Sequence, residues 1–175
     1  NQAVLDAVAS SAFAAEAIPM VITCPTPRGV GKAAEPDLPI DALAAALTPA
    51  DVWIEFNHQW LLYSTPFEPV EAQNKKLRYM CPVDFYEDIL VRTIGNVDTT
   101  TLKGFMQKVA ERTKQAKTMR VTTPAGCDIS FETEPSHLVT CDCGDASKPG
   151  IHMLTGQINV VPRFGTATGT IVFDG

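Results

Sequence analysis

The first two thirds of the chain alternate between helical and strand patterns, and this alternation limits the possible folds more than any other feature. Val4, Leu5 and Val8 recur on a helical period, whereas Asp51–Phe56 has the composition of a short strand. A helix between two strands serves as the crossover of a parallel sheet. The sequence therefore predicts an α/β fold, with a three-layer domain built on a mainly parallel sheet.

The two ends of the chain interrupt this alternation. The sequence opens inside a helical pattern at Asn1 and stops at Thr170–Gly175, where a strand reaches a turn. A parallel sheet normally begins with a strand. We therefore expect that the first strand is missing, that the chain is a piece of a larger protein, and that the other parts hold the chemistry.

The pattern changes after Ala116. The α/β domain of residues 1–116 is followed by short strands that prolines and glycines divide, which predicts a small antiparallel β subdomain of residues 117–175. Before the change, Asp98 stands where a helix N-cap is expected, since its carboxylate can accept hydrogen bonds from the first turn. The predicted strands are 20–23, 51–56, 77–80, 119–123, 127–131, 137–140, 153–161 and 169–173, and the predicted helices after the first are 41–47, 68–76, 84–92 and 98–116.

The composition and charge exclude several kinds of partner. The chain of 175 residues has a net charge of −6 and no basic cluster, which argues against nucleic acid and against an anionic membrane surface. Its longest apolar stretch, residues 12–22, contains Glu16 and Pro19 and is too short to span a membrane. The five cysteines are odd in number and scattered, as is typical of reduced thiols in a cytoplasmic protein.

One candidate site is the loop after the predicted strand 51–56. Loops at the carboxyl ends of parallel strands form the ligand crevice of open sheets, and this loop mixes polar groups with aromatic rings. It predicts a substrate pocket, with His58 or Tyr63 as a hydrogen-bonding or proton-transfer group. The alternative is ordinary loop packing, with the aromatic rings filling the core. The pocket candidates are His58, Trp60, Leu62, Tyr63 and Thr65.

Two other patterns point less specifically to chemistry. Arg28–Lys32 has the glycines of a phosphate loop, but no Gly-Lys-Ser/Thr closes it, and a surface loop fits better. Four residues could bind zinc, although their Cys-x-Cys spacing is tighter than that of structural zinc sites, so a turn between strands remains the alternative. They are His137, Cys141, Cys143 and His152. No nucleophilic serine motif is present, and the residues alone assign neither a catalytic group nor a metal ligand.

Several segments resemble the N-terminal domain of the thermophilic metallo-aminopeptidases, the aminopeptidase T type of leucyl aminopeptidase. Thr26–Lys32, a proline-rich run and the Ala-Asp-Val at residues 50–52 resemble that family's loop, helix and strand. Arg120–Phe131 resembles its Val-Thr-x-x-Gly-Thr-Asp-Leu-x-Phe signature. Residues 156–175 resemble its Pro-x-Gly-Glu stretch and the Asp-Gly turn that follows. The resemblance spans most of the chain, in the order that the family has.

The resemblance implies the substrate-covering N-terminal domain of a metal-dependent aminopeptidase-like hydrolase, with residues 117–175 leading into an absent C-terminal catalytic domain. The metal ligands of that family lie in the C-terminal domain, so the resemblance assigns none to this chain. The complete protein would hold a divalent metal (zinc, cobalt or iron). It would act on a small molecule or short peptide as a cytoplasmic homodimer.

The chain departs from that family at several positions. Cys127 replaces a frequent threonine, Gln157 replaces a frequent glutamate, and no histidine occurs at residues 63–65, where the family often has one. These differences keep two alternatives open. One is an iron-dependent ring-cleaving dioxygenase of the dihydroxypyridine type on the same fold, whose loop at Leu62 and Tyr63 would lie over the substrate. The other is a stand-alone noncatalytic binding domain.

Overall fold

Helices, a parallel sheet and antiparallel sheets all occur in the computed structural model of the chain, which describes residues 2–58, 60–134 and 139–173. This confirms the mixed α/β class, while the three-layer arrangement stays a prediction. The helices are α1 (Gln2–Ala14), α2 (Ile40–Leu47), α3 (Phe67–Gln73), α4 (Glu87–Leu90) and α5 (Thr99–Gln115), with a 3₁₀ helix at Gly31–Asp37 and a π-helical turn at Val91–Gly95. The strands are β1 (Val52–Ile54), β2 (Arg78–Met80), β3 (Thr118–Thr122), β4 (Asp128–Glu132), β5 (Thr140–Asp142), β6 (Gly150–His152), β7 (Gln157–Asn159) and β8 (Thr168–Thr170).

The chain forms two units. The first contains Asn1–Val97 and Gly144–Thr155, and the second contains Asp98–Cys143 and Gly156–Gly175. The parallel sheet belongs to the first unit, and the antiparallel sheets belong to the second. The division into an α/β domain of residues 1–116 and a β subdomain of residues 117–175 stays a prediction.

The parallel sheet has the strand order β1-β2-β6. Trp53, Tyr79 and Ile151 lie side by side across its three strands. The sequence did not predict β6, because the pattern placed the nearest strand at residues 153–161 and assigned it to the antiparallel part. Since all three strands run in the same direction, their carboxyl ends meet at one edge of the sheet.

Aromatic and aliphatic side chains from α2 and α3 build the core of the first unit against this sheet. The ring of Phe67 lies 5.2 Å from that of Tyr79, and the rings of Trp53 and Tyr79 meet edge to face at 5.0 Å. Such tilted arrangements are favourable for aromatic pairs. The alanine-rich helix α2 contributes Leu43 and Leu47, which are one turn apart on the same face. The other buried members of the core are Leu61, Leu62, Val70, Leu77 and Cys81.

The predicted strand at residues 20–23 is wrong. These residues form no strand, and Met20, Val21 and Ile22 are 66%, 48% and 41% exposed. Their β-branched composition favours an extended backbone, but a strand also needs a neighbour that accepts and donates its hydrogen bonds. No described strand pairs with this segment.

The long helix α5 begins where the sequence predicted. The Asp98 carboxylate accepts hydrogen bonds from the backbone N–H groups of Thr100 at 2.9 Å and of Thr101 at 3.0 Å. These donors have no partner within the helix, which explains why an aspartate stabilises this end. Met106 and Ala110 form the buried face of α5. Neither α5 nor any other helix in the described part of the chain is long and apolar enough to cross a membrane.

The second unit contains the predicted antiparallel strands. One sheet has the order β3-β4-β8, and β5 pairs with β7 in a separate two-stranded ribbon. The hairpin between β3 and β4 turns at Gly126, whose φ of 100° is accessible to glycine without strain. The predicted strand at 137–140 is seen only from Thr140 onward, because residues 135–138 lie outside the described residues.

Candidate functional site

The carboxyl ends of β1 and β2 bring several chemically active side chains to one edge of the parallel sheet. Glu55 and His58 follow β1, whereas Cys81 and Asp84 follow β2. Because the two strands pair in parallel, the segments after them leave the sheet at the same edge. We name Glu55, Asn57, His58, Cys81 and Asp84 the carboxyl-edge cluster.

A hydrogen-bonded pair of His58 and Asp84 forms the exposed part of the carboxyl-edge cluster. His58 Nδ1 lies 2.8 Å from Asp84 Oδ1, and both side chains are about half exposed. The hydrogen bond from the imidazole, assisted by one from the Tyr86 hydroxyl, lowers the pKa of Asp84. Asp84 is therefore a carboxylate at neutral pH and can accept the Nδ1 proton. In a neutral His58 this leaves Nε2 as a proton acceptor.

The backbone of Asp84 holds this pair in place. Its N–H donates a 3.0 Å hydrogen bond to the carbonyl of Asn57, which ties the loop after β2 to the loop after β1. The φ of Asp84 is 58°, in the left-handed region that aspartate tolerates better than most residues. Such conformations cluster at functional sites, so the backbone favours a functional interpretation of the pair.

Glu55 is the buried part of the carboxyl-edge cluster, with only 2% of its surface exposed. Its Oε1 accepts hydrogen bonds from the backbone N–H of Leu61 at 2.7 Å and from Nδ2 of Asn57 at 3.1 Å. Its Oε2 accepts a hydrogen bond from the hydroxyl of Tyr79, which is fully buried in β2. A single carboxyl group therefore fastens both ends of the loop 57–61, which we name the His58 loop, to the sheet.

Burial dominates the protonation of the groups beneath the His58 loop. It raises the pKa of Glu55, although the three hydrogen bonds to the carboxylate act in the opposite direction. Burial, together with the nearby Glu55, also raises the pKa of Tyr79, and burial raises the pKa of the Cys81 thiol. Cys81 is therefore a poor nucleophile at neutral pH.

The other predicted pocket residues occupy different settings. Trp60 and Tyr63 are 45% and 65% exposed, and Tyr63 has a φ of 65°. Leu62 is buried in the core. The backbone N–H of Thr65 donates to Oε1 of Glu35 at 2.9 Å, and its hydroxyl binds the same oxygen. The structure therefore leaves the two aromatic rings available to a ligand, while a pocket formed by the five residues stays a prediction.

The glycine-bearing segment at residues 24–39, which contains the 3₁₀ helix Gly31–Asp37, lies against the His58 loop. The N–H of Gly31 donates to the carbonyl of Trp60 at 3.1 Å. Both cations of this segment have carboxylate partners. Arg28 binds Asp37 through its Nη2 at 2.6 Å, and Lys32 Nζ lies 2.9 Å from a carboxylate of α3. These pairs support the prediction of a surface loop rather than a phosphate site.

The three predicted zinc residues that the structure describes do not gather into a metal site. In the part of the chain that the structure describes, no group of three or more histidine, cysteine, aspartate or glutamate side chains could hold a metal ion. Cys141 and Cys143 approach each other to 3.7 Å between their sulfur atoms. His152 contacts the carbonyl of Lys148 at 2.8 Å, and His137 lies outside the described residues.

Sequence reasoning missed Glu55 and Asp84. Glu55 fell inside the predicted strand 51–56, and Asp84 was assigned to the start of the predicted helix 84–92. The available signal for Glu55 was a carboxylate within an apolar run directly before a loop, since charged residues are rarely buried without a specific partner. The partner of Asp84 is 26 positions away in the sequence, and no local pattern indicates it.

Comparison with known proteins corrects the family assignment. The family model described as NicX, 2,5-dihydroxypyridine 5,6-dioxygenase, matches residues 1–175. No curated protein and no solved structure matches the chain significantly. The match shows that the resemblance to aminopeptidase T was the wrong assignment, and with it the prediction of a hydrolase and metalloprotease. The alternative of a dihydroxypyridine-type dioxygenase agrees with the match instead. Because the family model covers the full length of the sequence, the chain belongs to the NicX family of 2,5-dihydroxypyridine 5,6-dioxygenases.

Proposed function

We propose that this chain is part of an enzyme that opens the ring of a dihydroxypyridine between positions 5 and 6 with molecular oxygen. The observation that carries the proposal is the family match over residues 1–175. The carboxyl-edge cluster supports it, because it combines a proton acceptor with nearby exposed aromatic rings at the edge where α/β sheets bind ligands. A planar, hydroxylated heterocycle is a suitable ligand for such a surface.

The iron that dioxygenases of this family require is not accommodated by the described residues. Non-haem iron in oxygenases is typically held by two histidines and one carboxylate. His58 and Asp84 supply one of each, and the described residues contain no group of three suitable side chains. His58 is moreover hydrogen-bonded to the carboxylate itself. We therefore propose that the iron ligands lie outside the described residues, and we assign the His58–Asp84 pair to proton transfer.

The His58–Asp84 pair would remove a proton from a ring hydroxyl of the substrate. Asp84 holds the Nδ1 proton of His58, which orients the imidazole and leaves Nε2 to accept the hydroxyl proton. The carboxylate then stabilises the imidazolium that forms, as in other histidine–aspartate pairs. A deprotonated ring is richer in electrons than the neutral one and is therefore oxidised more readily.

Trp60 and Tyr63 would bind the ring of the substrate. Both side chains are substantially exposed, and Trp60 is only two residues from His58. Stacked or edge-to-face contact between aromatic rings contributes about 0.5–1.5 kcal/mol beyond simple burial.

We further propose that the enzyme works in the cytoplasm as a homodimer. The free state of the five cysteines supports the first of these two points.

The proposal is tested by oxygen uptake with 2,5-dihydroxypyridine as substrate. The full-length protein, loaded with ferrous iron under anaerobic conditions, should consume equimolar oxygen and substrate, and both oxygen atoms should appear in the ring-opened product. 2-Hydroxypyridine, which lacks the second hydroxyl, is the matched control and should not be consumed. If iron-loaded protein leaves 2,5-dihydroxypyridine unchanged, the proposed activity is wrong.

A variant then tests the role of the pair separately from the activity itself. His58→Asn should lower kcat by about 10²–10⁴-fold, the usual contribution of general acid–base catalysis, with little change in KM. Tyr86→Phe, which keeps both members of the pair, is the matched control and should retain most activity. Unchanged kcat in His58→Asn would remove the pair from the mechanism while leaving the activity intact.

A further inference from the structure

The second unit contains two thiols in direct contact. Cys141 lies in β5, and Cys143 is the first residue after that strand. Residues two positions apart on a strand face the same side, so both side chains leave the same face. Their sulfur atoms are 3.7 Å apart, and both residues are half-buried. The proton-transfer chemistry proposed above makes no use of this pair.

The surroundings of β5 keep the pair in this arrangement. Cys141 lies opposite Ile158 of β7, in the ribbon that β5 and β7 form. This ribbon lies against α5, where a side chain at Gly156 would collide with the sulfur of Met106. The ribbon is thus tied to a partner strand and to a helix, and the two thiols are not on a free chain terminus.

The described residues do not complete a metal site around the pair. Structural zinc takes four ligands, and the described residues place no third histidine, cysteine or carboxylate with these two cysteines in a metal-binding group. Two thiols in contact can instead form a disulfide, whose sulfur atoms are about 2.05 Å apart. The movement needed is roughly 1.7 Å from the observed separation of 3.7 Å, which side-chain rotation with small backbone adjustment can supply.

We propose that Cys141 and Cys143 form a redox-active dithiol, which low-molecular-weight disulfides such as oxidised glutathione convert to an intrachain disulfide. One cysteine thiolate attacks a sulfur of oxidised glutathione, forms a mixed disulfide and releases one glutathione thiolate. The second cysteine thiolate attacks the protein sulfur of the mixed disulfide and releases the other. The two cysteines lose two electrons and two protons in total, and the oxidant becomes two molecules of reduced glutathione.

The resulting bond would be readily reversible rather than structural. The α-carbons of residues two apart on an extended strand are about 6.5–7 Å apart, at the outer limit of the 4.4–6.8 Å range for disulfides. A disulfide closed at that limit is strained, and strained disulfides are reduced easily. Burial and the neighbouring Cys141 raise the pKa of Cys143, so this thiol is protonated at neutral pH and is the less reactive one of the two toward an oxidant.

The test is peptide mapping of the native full-length protein after equilibration with oxidised glutathione. Acid quenching, alkylation and digestion after Glu132 and after Arg163 should isolate a peptide that carries both cysteines but not Cys127. The expected peptide lacks two hydrogen atoms and takes up no alkylating agent until it is reduced. Cleavage before Asp142 should divide it into two halves that stay joined only through the disulfide.

Variants distinguish a dithiol from two independent thiols. Cys143→Ser should trap Cys141 as a mixed disulfide with glutathione, whereas Cys127→Ser, the matched control from the same unit, should leave the intrachain disulfide unchanged. Cys127 serves as the reference thiol that reports that oxidation has taken place. The proposal is overturned if Cys141 and Cys143 of the wild-type protein can both still be alkylated after Cys127 has reacted with glutathione. It is equally overturned if either thiol pairs with another cysteine, or if both are protected without the loss of hydrogen, which would indicate a bound soft metal ion.

Discussion

Replacing Glu55 tests whether one buried carboxyl holds the His58 loop to the sheet. Glu55→Leu fills the same space with an apolar side chain. It leaves the N–H of Leu61 and the hydroxyl of Tyr79 without their acceptor. Each buried donor without a partner costs about 1–3 kcal/mol, and the loss of a buried ionisable group offsets part of that sum. We expect a net loss of about 3 kcal/mol in the free energy of unfolding. For a chain of this size, that corresponds to a fall in Tm of roughly 6–12 °C.

Glu55→Gln is the matched control. Its amide oxygen can still accept from Leu61, and its NH₂ group can donate to the oxygen of the Tyr79 hydroxyl. The variant therefore resembles the protonated form of Glu55, and its stability at neutral pH should lie within about 1 kcal/mol of the wild type. Urea unfolding followed by tryptophan fluorescence measures both variants, since Trp53 lies in the same core.

The sign of the pH dependence separates the role of the proton from that of the hydrogen bonds. The pKa of Glu55 is raised in the folded state above its ordinary value of 4.5. The folded protein thus binds this proton more tightly than the unfolded chain does. Its contribution to stability is fully present below pH 4.5 and is lost as the pH rises through the raised pKa. Over that interval the wild type should lose stability relative to Glu55→Gln. Parallel pH profiles, or a Leu variant as stable as the Gln variant, would refute this reasoning.

Three further predictions concern other parts of the chain. Asp98→Ala should lower the unfolding midpoint and the helicity measured by circular dichroism, because two N–H groups at the start of α5 lose their acceptor, and Asp98→Asn should restore most of both. The pKa of Asp37 should be about 2 by NMR titration, and Arg28→Ala should return it toward 3.8; an unchanged value would mean that the pair is not formed in solution. Since this carboxyl has a lowered pKa, the stability that it contributes should be present above about pH 4 and be lost as the pH falls toward 2. Asp84→Asn should lower kcat for the dihydroxypyridine with a pH profile different from that of the wild type, because the imidazole loses the acceptor that orients it, and an unchanged profile would contradict the pairing.

Features with local physical causes could be predicted from the sequence. The N-cap at Asp98 depends on a carboxylate and the two or three residues after it, and the strands β1 and β2 follow from short apolar runs that turn residues delimit. The segment at residues 20–23 has equally favourable local composition, but strand formation depends on a pairing partner that no local pattern specifies. The same limit applies to β6, whose partner β2 is about 70 residues earlier in the sequence.

The family assignment failed for a physical reason that the second unit makes visible. The segment Arg120–Phe131, which suggested an aminopeptidase, forms the hairpin of β3 and β4. Arg120 binds Asp128 across this hairpin through two hydrogen bonds of 2.8 and 2.7 Å, and Gly126 supplies the turn. These residues specify a hairpin and no reaction, so a motif built from them can be similar in proteins with different chemistry. In the candidate site, His58 could be predicted because a loop after a strand is a recognisable position. Its partner Asp84 could not be predicted, because it is 26 positions away in the sequence.

The position of β6 determines when the first unit can fold. Its sheet is complete only when residues 150–152 pair with β2, although the first segment of that unit ends at Val97. During synthesis, β2 therefore leaves the ribosome with one side unpaired and stays so while the whole segment 98–143 is added. The second unit is also incomplete in this interval, because its residues 156–175 emerge after β6, so only its segment 98–143 is available to fold before the sheet closes. A nascent chain arrested before residue 150 would expose an unpaired strand edge, which makes this interval the one in which aggregation or chaperone binding is most expected.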